Sequence, residues 1–61
     1  MEKKELKAIN NINSFLSEFY KYSDEKINSL TIQTKMHLVL IRDESKWEEF
    51  KIDLRNLGYI I

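Results

Sequence analysis

Residues 30–41, LTIQTKMHLVLI, decide the fold class of this chain of 61 residues. Apolar side chains recur there at alternate positions, with Thr34 as the one interruption. They are Leu30, Ile32, Met36, Leu38 and Leu40. Alternation with a period of two is typical of a β-strand that buries one face. We therefore expect a strand over residues 30–41, covered on both faces near its end, where Val39 and Ile41 are apolar as well.

The same segment has a second interpretation, a helix from about residue 24 to residue 41 with Ser23 as its N-cap. That helix would make the domain a three-helix bundle. We favour the strand because five β-branched residues fall within these twelve positions, and such residues fit a pleated surface better than a helix. The expected class is therefore α+β, with the three-helix bundle as the alternative.

A long amphipathic helix is expected before the central segment, from about residue 4 to residue 22. Its large apolar residues recur at steps of three or one. They are Leu6, Ile9, Ile12, Phe15, Leu16, Phe19 and Tyr20. At about 100° per residue, and with Ala8 and Tyr22 included, they span an arc of roughly 200°. An arc so wide needs partners on two sides, which either the rest of the fold or a second chain would supply.

A second helix and a short strand are expected after the central segment. Ser45 and Glu48 form the pattern S-x-x-E of a capping box, which predicts a helix capped by Ser45. That helix runs to Leu57, and Gly58 provides the left-handed residue that ends it. Residues 59–61 are β-prone and read as a short strand, parallel to the first through a right-handed crossover or paired across a dimer.

The composition describes a single small domain, residues 1–61. Ten basic and ten acidic residues cancel, so no net charge draws the chain to nucleic acid or to an anionic membrane. There is no cysteine and only one histidine, which argues against disulfides and against a zinc site of the Cys/His type. A domain of this size buries only about 60% of the surface that its unfolded chain exposes. We therefore expect further stability from association, as a homodimer or with another protein.

No targeting or membrane segment is expected. The longest apolar run is residues 38–41, against the roughly 20 residues that a transmembrane helix needs. Asparagines interrupt the apolar positions near the N-terminus, unlike a signal peptide. A cytoplasmic location is the resulting expectation. The preference for Lys over Arg, with many Ile and Asn residues, is typical of AT-rich genomes and favours a bacterial, phage or mobile-element source.

Catalysis is not expected either. His37 has no nucleophile beside it in any recognisable motif, so we interpret it as a solvent-facing residue of the strand. Five acids cluster around the second helix: Asp43, Glu44, Glu48, Glu49 and Asp53. They lack the loop with a central glycine that calcium sites use, and acids in a first helical turn stabilise it through the helix dipole. We predict no catalytic residue, no metal ligand and no cofactor.

We expect partner binding at the apolar residues that the predicted core does not require. They are Phe15, Tyr20, Tyr22, Ile52, Tyr59, Ile60 and Ile61. The first three belong to the wide arc of the first helix. The second helix has a narrow apolar seam, formed by Trp47, Phe50, Leu54 and Leu57. Ile52 lies roughly 160° from that seam, and we expect it to form one patch with residues 59–61.

The sequence thus predicts a non-catalytic protein–protein interaction module, a small regulator or inhibitor that acts by binding a larger protein. The alternative is a small dimeric DNA-binding transcriptional regulator. Its basic side would be assembled only in the dimer, from Lys3, Lys4, Lys7 and Lys35. The neutral net charge and the acids of the second helix make nucleic acid the less favoured partner.

Overall fold

The domain is a helical bundle, seen in a computed structural model that describes residues 3–60, apart from the side chain of Lys3. Its four helices are α1 (Lys3–Tyr20), α2 (Asp24–Asn28), α3 (Ile32–Arg42) and α4 (Glu44–Asn56). Helices α1, α3 and α4 pack against one another, and the short α2 rests mainly on α1. No strand occurs between residues 3 and 60. The predicted α+β class is therefore wrong, and the three-helix bundle, with α2 as an addition, fits.

The segment predicted as a strand is helix α3, which packs against both α1 and α4. Its most buried residues are Lys35, Met36 and Val39, which recur with helical spacing. Leu38 and Leu40 flank Val39 at about 100° on either side and are half-buried, and Leu40 lies beside Trp47 of α4. A helix that is apolar over so wide an arc places apolar residues at alternate positions, which imitates the pattern of a strand.

The helix of the alternative interpretation is broken between Asn28 and Ile32. Ser23 does cap its start, since the Ser23 side chain accepts a hydrogen bond of 3.2 Å from the amide of Lys26. Thr31 caps α3 in the same way: it has extended backbone angles, and its side chain accepts 3.2 Å from the amide of Thr34. Two N-cap residues eight positions apart therefore divide the segment into α2 and α3.

Helix α4 begins earlier than the capping-box pattern predicted. The Asp43 side chain accepts a hydrogen bond of 3.2 Å from the amide of Lys46, and Ser45 lies inside the first turn. The same Asp43 ends α3: its amide makes the last helical hydrogen bond, to the carbonyl of Val39 at 2.8 Å, and its own backbone is extended. Asp43 is the single extended residue between the two helices, so it alone can take the N-cap position. The predicted role of Ser45 is wrong.

The end of α4 confirms the predicted role of Gly58. Its φ of 100° is left-handed, and its amide donates to the carbonyl of Arg55 at 3.0 Å. The amide of Tyr59 donates to the carbonyl of Leu54, also at 3.0 Å. This pair of hydrogen bonds is a Schellman motif, which turns the chain back on its own helix. Tyr59 and Ile60 form no strand, so the predicted terminal pairing is wrong for them, and Ile61 lies outside the described residues.

The wide apolar arc of α1 is covered mainly by other helices of the same chain. Four of the nine apolar residues buried within residues 4–60 come from that helix: Ala8, Ile12, Phe15 and Leu16. They are covered by α3 on one side and by α4 on the other, all within one chain. Two large apolar residues of α1, Leu6 and Phe19, stay exposed. No helix within residues 3–60 has both the length and the hydropathy to cross a membrane.

Candidate interaction surface

A shallow groove of about 270 Å³ runs between α3, the start of α4 and the C-terminal segment. We call it the C-terminal groove, and it is lined by Gln33, Met36, His37, Leu40, Trp47 and Ile60. The four residues from α3 share one side of that helix, because they follow one another at steps of three, one and three. Trp47 comes from the first turns of α4, which the Asp43 corner folds back beside α3.

Ile60 is the most exposed large apolar residue among residues 3–60, with 92% of its surface open to solvent. Its position is set by Tyr59, whose amide bonds to Leu54 in the Schellman motif and whose hydroxyl donates to Glu5 Oε2 at 2.8 Å. A second depression lies on the other side of Ile60, between the start of α3 and Gly58. Ile60 therefore stands as a ridge between two depressions on one face.

The groove has an apolar floor and a polar edge. Met36 is buried, Leu40 and Trp47 are half-buried, and Gln33 and His37 are exposed. One helical turn after His37 on the same side of α3 comes Ile41, which is 62% exposed. An apolar centre with a polar rim is the usual anatomy of a protein–protein interface. The groove can thus receive an apolar side chain of a partner.

A second group of apolar side chains lies where α1 and α3 both end. We call it the aromatic end and define it by Phe15, Phe19, Tyr20, Tyr22 and Arg42. The rings of Phe15 and Phe19 lie 4.6 Å apart, and those of Tyr20 and Tyr22 stack at 5.3 Å. The Arg42 guanidinium sits 5.5 Å from the ring centre of Phe19 and 5.4 Å from that of Tyr20. This end is consolidated by its own members.

The three partner-binding residues predicted on the first helix are buried to different degrees. Phe15 is 5% exposed and meets Phe50 edge-on at 6.2 Å, so it is a core residue in the single chain. Tyr20 and Tyr22 are half-buried, and the Tyr20 hydroxyl donates to the carbonyl of Leu38 at 2.7 Å. Their role in partner binding stays a prediction, with little free surface to serve it.

The predicted patch at the C-terminal end is not assembled as expected. Ile52 is 56% exposed, but it lies about 200° around α4 from the buried Leu54 and so points away from the bundle. Ile60 instead lies on the side that α4 shares with α3, beside Trp47. Tyr59 is half-buried against α1 through Glu5. Ile61 lies outside the described residues.

Five of the six residues that line the groove were absent from the predicted set: Gln33, Met36, His37, Leu40 and Trp47. Met36 and Leu40 were predicted on the buried face of the strand and His37 on its solvent-facing side, while Trp47 was expected in the buried seam of the second helix. Reading residues 32–42 with a helical period would have placed Gln33, His37 and Leu40 on one side, and so would have signalled the groove. The missing information was therefore the period of the central segment.

The basic side of the DNA-binding alternative does not include Lys35. This side chain is 6% exposed, and its Nζ donates to Asn13 Oδ1 at 2.8 Å. Burial lowers the pKa of Lys35, because the charged amine is poorly solvated there. Its amine is therefore engaged by Asn13 of α1, while Lys4 and Lys7 line a depression between α1 and α4. The three lysines do not form one phosphate-binding surface.

The described residues bring no three His, Asp or Glu side chains close enough together to hold a metal ion. No known protein family, curated protein or solved structure matches this chain.

Proposed function

We propose that this chain is a non-catalytic protein–protein interaction module, a small regulator or inhibitor that covers part of the surface of a larger protein. The contact is made by the C-terminal groove. One observation carries the proposal: Ile60 is 92% exposed although both residues before it, Gly58 and Tyr59, are held by hydrogen bonds. The bundle thus presents a large apolar side chain from an anchored backbone.

A partner that covers Ile60 would gain binding free energy from the apolar surface it buries. Burying one isoleucine side chain contributes about 1.5 to 3 kcal/mol, and a fixed backbone reduces the entropy lost on binding. Leu40 and Trp47 lie beside Ile60 and are only partly covered by the fold. Interfaces draw most of their affinity from a few such residues in a well-packed centre. The occupant we propose is an apolar segment of the larger protein, with one large side chain inserted next to Trp47.

Differential capture tests this proposal. The full chain is immobilised and exposed to an extract of its source cell in three forms: wild type, Ile60→Asp and Ile52→Asp. Both variants introduce one charge at an exposed isoleucine, but only Ile60 lines the groove. We expect a protein that wild type and Ile52→Asp retain and that Ile60→Asp loses, with affinity for the purified partner lowered at least about tenfold. Equal retention by both variants would remove the groove from the proposal.

Self-association is a separate part of the proposal. The Ile60 ridge and the depressions beside it share one face, which is what a two-fold dimer needs, since each copy must offer both halves of the contact. Sedimentation equilibrium over micromolar concentrations should show a dimer for wild type and a monomer for Ile60→Asp. A wild-type chain that stays at 7.4 kDa throughout would remove the homodimer and leave the partner proposal standing.

Location and source follow from composition alone. We propose a cytoplasmic protein, because the chain has no cysteine, and a phage or mobile-element gene, because Lys, Ile and Asn are frequent. Fractionation of source cells checks the location, and recovery in a membrane or secreted fraction would contradict it.

A further inference from the structure

We infer that the aromatic end is a second contact, which binds a carboxylate of the partner next to an aromatic side chain. This inference rests on the proposed function, since it names a chemistry for the same kind of partner. It concerns different residues from the C-terminal groove. Arg42 is the anion-binding group, and Phe19 is the apolar surface beside it.

Arg42 is held in place before any partner arrives. Its guanidinium lies 5.5 Å from the ring centre of Phe19 and 5.4 Å from that of Tyr20. Tyr20 is itself fixed, by the hydrogen bond from its hydroxyl to the Leu38 carbonyl and by stacking on Tyr22. A guanidinium within cation–π distance of two rings is restricted in position, and its planar fork of N–H donors matches the two oxygens of a carboxylate. The fork is thus preorganised.

The charge of Arg42 is not neutralised by any described side chain. The two ion pairs among the described residues join Lys46 to Glu49 and Lys51 to Glu48. The nearest acid along the chain, Asp43, uses its carboxylate to cap α4. A cation with free donors complements an anion, and a bidentate carboxylate matches the guanidinium geometry. Charge complementarity therefore specifies the polar half of the ligand.

The apolar half of the ligand follows from Phe19. Phe19 is 43% exposed although its ring packs at a tilt against that of Phe15 and lies beneath the Arg42 guanidinium. A single Arg42 among the nearby acids Glu18 and Asp43 does not make the strongly basic surface that nucleic acid needs. An acidic residue adjacent to an aromatic one, on a segment of a protein partner, satisfies both halves of the site.

Titration of the ¹⁵N-labelled full chain with 3-phenylpropionate tests the inference, since this probe joins one carboxylate to one ring. We expect fast-exchange shifts at the Arg42 side chain and at Phe19, with a dissociation constant in the millimolar range, as for a ligand of about eleven heavy atoms. The neutral isostere 3-phenylpropanamide should bind at least about fivefold more weakly, because it lacks the charge.

Three variants make the result specific. Arg42→Gln should lose at least about fivefold in affinity for 3-phenylpropionate, whereas Arg55→Gln, the matched change at the other arginine, should keep it. Ile60→Asp should also keep it, so this outcome is independent of the capture experiment. Equal binding of the amide, unchanged binding by Arg42→Gln, or absence of shifts at Arg42 and Phe19 would each overturn the inference. Inorganic phosphate that binds there more tightly than 3-phenylpropionate would assign the site to phosphate and overturn it as well.

Discussion

The aromatic end and the C-terminal groove both contain large apolar side chains, but they bury these side chains to different extents. At the aromatic end, Phe15 packs between Phe19 and Phe50. A residue predicted to be left over for a partner is thus part of the core. At the groove, Ile60 has no neighbour that covers it. The difference lies in position. A residue in the middle of α1 is enclosed by α3 and α4, whereas a residue just after a helix end projects from the bundle. An apolar residue is therefore available to a partner only to the extent that the fold leaves it exposed, as it does for Ile60 and in part for Phe19.

Truncation of one residue from each region should give the largest contrast. Phe15→Ala should destabilise the domain by about 3 to 5 kcal/mol, because it opens a cavity among packed rings. Ile60→Ala should change the free energy of unfolding by less than about 0.5 kcal/mol, since the side chain is exposed. Urea denaturation followed by circular dichroism measures both. A loss of more than about 2 kcal/mol for Ile60→Ala would mean that the fold, and not a partner, uses that residue.

The two tyrosines of the aromatic end allow a finer comparison. Tyr20→Phe removes the hydroxyl that donates to the Leu38 carbonyl, and should lower the free energy of unfolding by about 1 kcal/mol. Tyr22→Phe keeps the ring stacked on Tyr20 and removes a hydroxyl with no protein acceptor among the described residues, so its effect should be close to zero. Equal effects in chemical denaturation would show that the hydrogen bond to α3 does not anchor this end.

The smallest expected effect concerns the anchor of the C-terminal segment. The hydrogen bond to Glu5, followed by partial desolvation and by the charge of that carboxylate, raises the pKa of Tyr59. The folded state therefore holds the phenol proton more tightly than the unfolded state does. The resulting stability is fully present below about pH 10 and is lost as the pH rises through the raised pKa.

Comparison with Tyr59→Phe isolates this contribution. Lys35 has a lowered pKa, which makes stability rise with pH just below its usual value of 10.5, and this trend is common to both proteins. We expect wild type to exceed Tyr59→Phe in thermal stability near pH 9 and to lose that advantage near about pH 11. A difference between the two melting temperatures that stays constant over this range would contradict the assigned role of the phenol.

Local signals in the sequence predicted the ends of the bundle better than its centre. The spacing of Ile12, Phe15 and Leu16 predicted α1 nearly to its bounds, and Gly58 predicted the end of α4, because each signal acts over one or two turns. The strand predicted over residues 30–41 was wrong because a helix packed on two sides is apolar at alternate positions. Only the presence of α1 and α4 around that segment distinguishes the two interpretations.

The candidate surface was predictable only in part. Tyr59 and Ile60 were predicted to be apolar residues that the fold does not bury. Ile60 lines the C-terminal groove, and both residues line the depression on the other side of Ile60. The position of Ile52 was predicted correctly as opposite the apolar seam, but its grouping with Ile60 was not, since the Schellman turn directs the chain towards α3. Which residues meet across the groove depends on how helices pack, and helical spacing alone does not encode that.

Hydrogen–deuterium exchange on the wild-type chain, alone and with its captured partner, tests the central claim most directly. The account predicts that the partner slows exchange in residues 36–41 and 58–60, which border the C-terminal groove, and leaves the Ile52 side of α4 unchanged. It further predicts protection around Arg42 if the partner carries the acidic segment. Protection concentrated around Ile52, with the groove unaffected, would contradict the account.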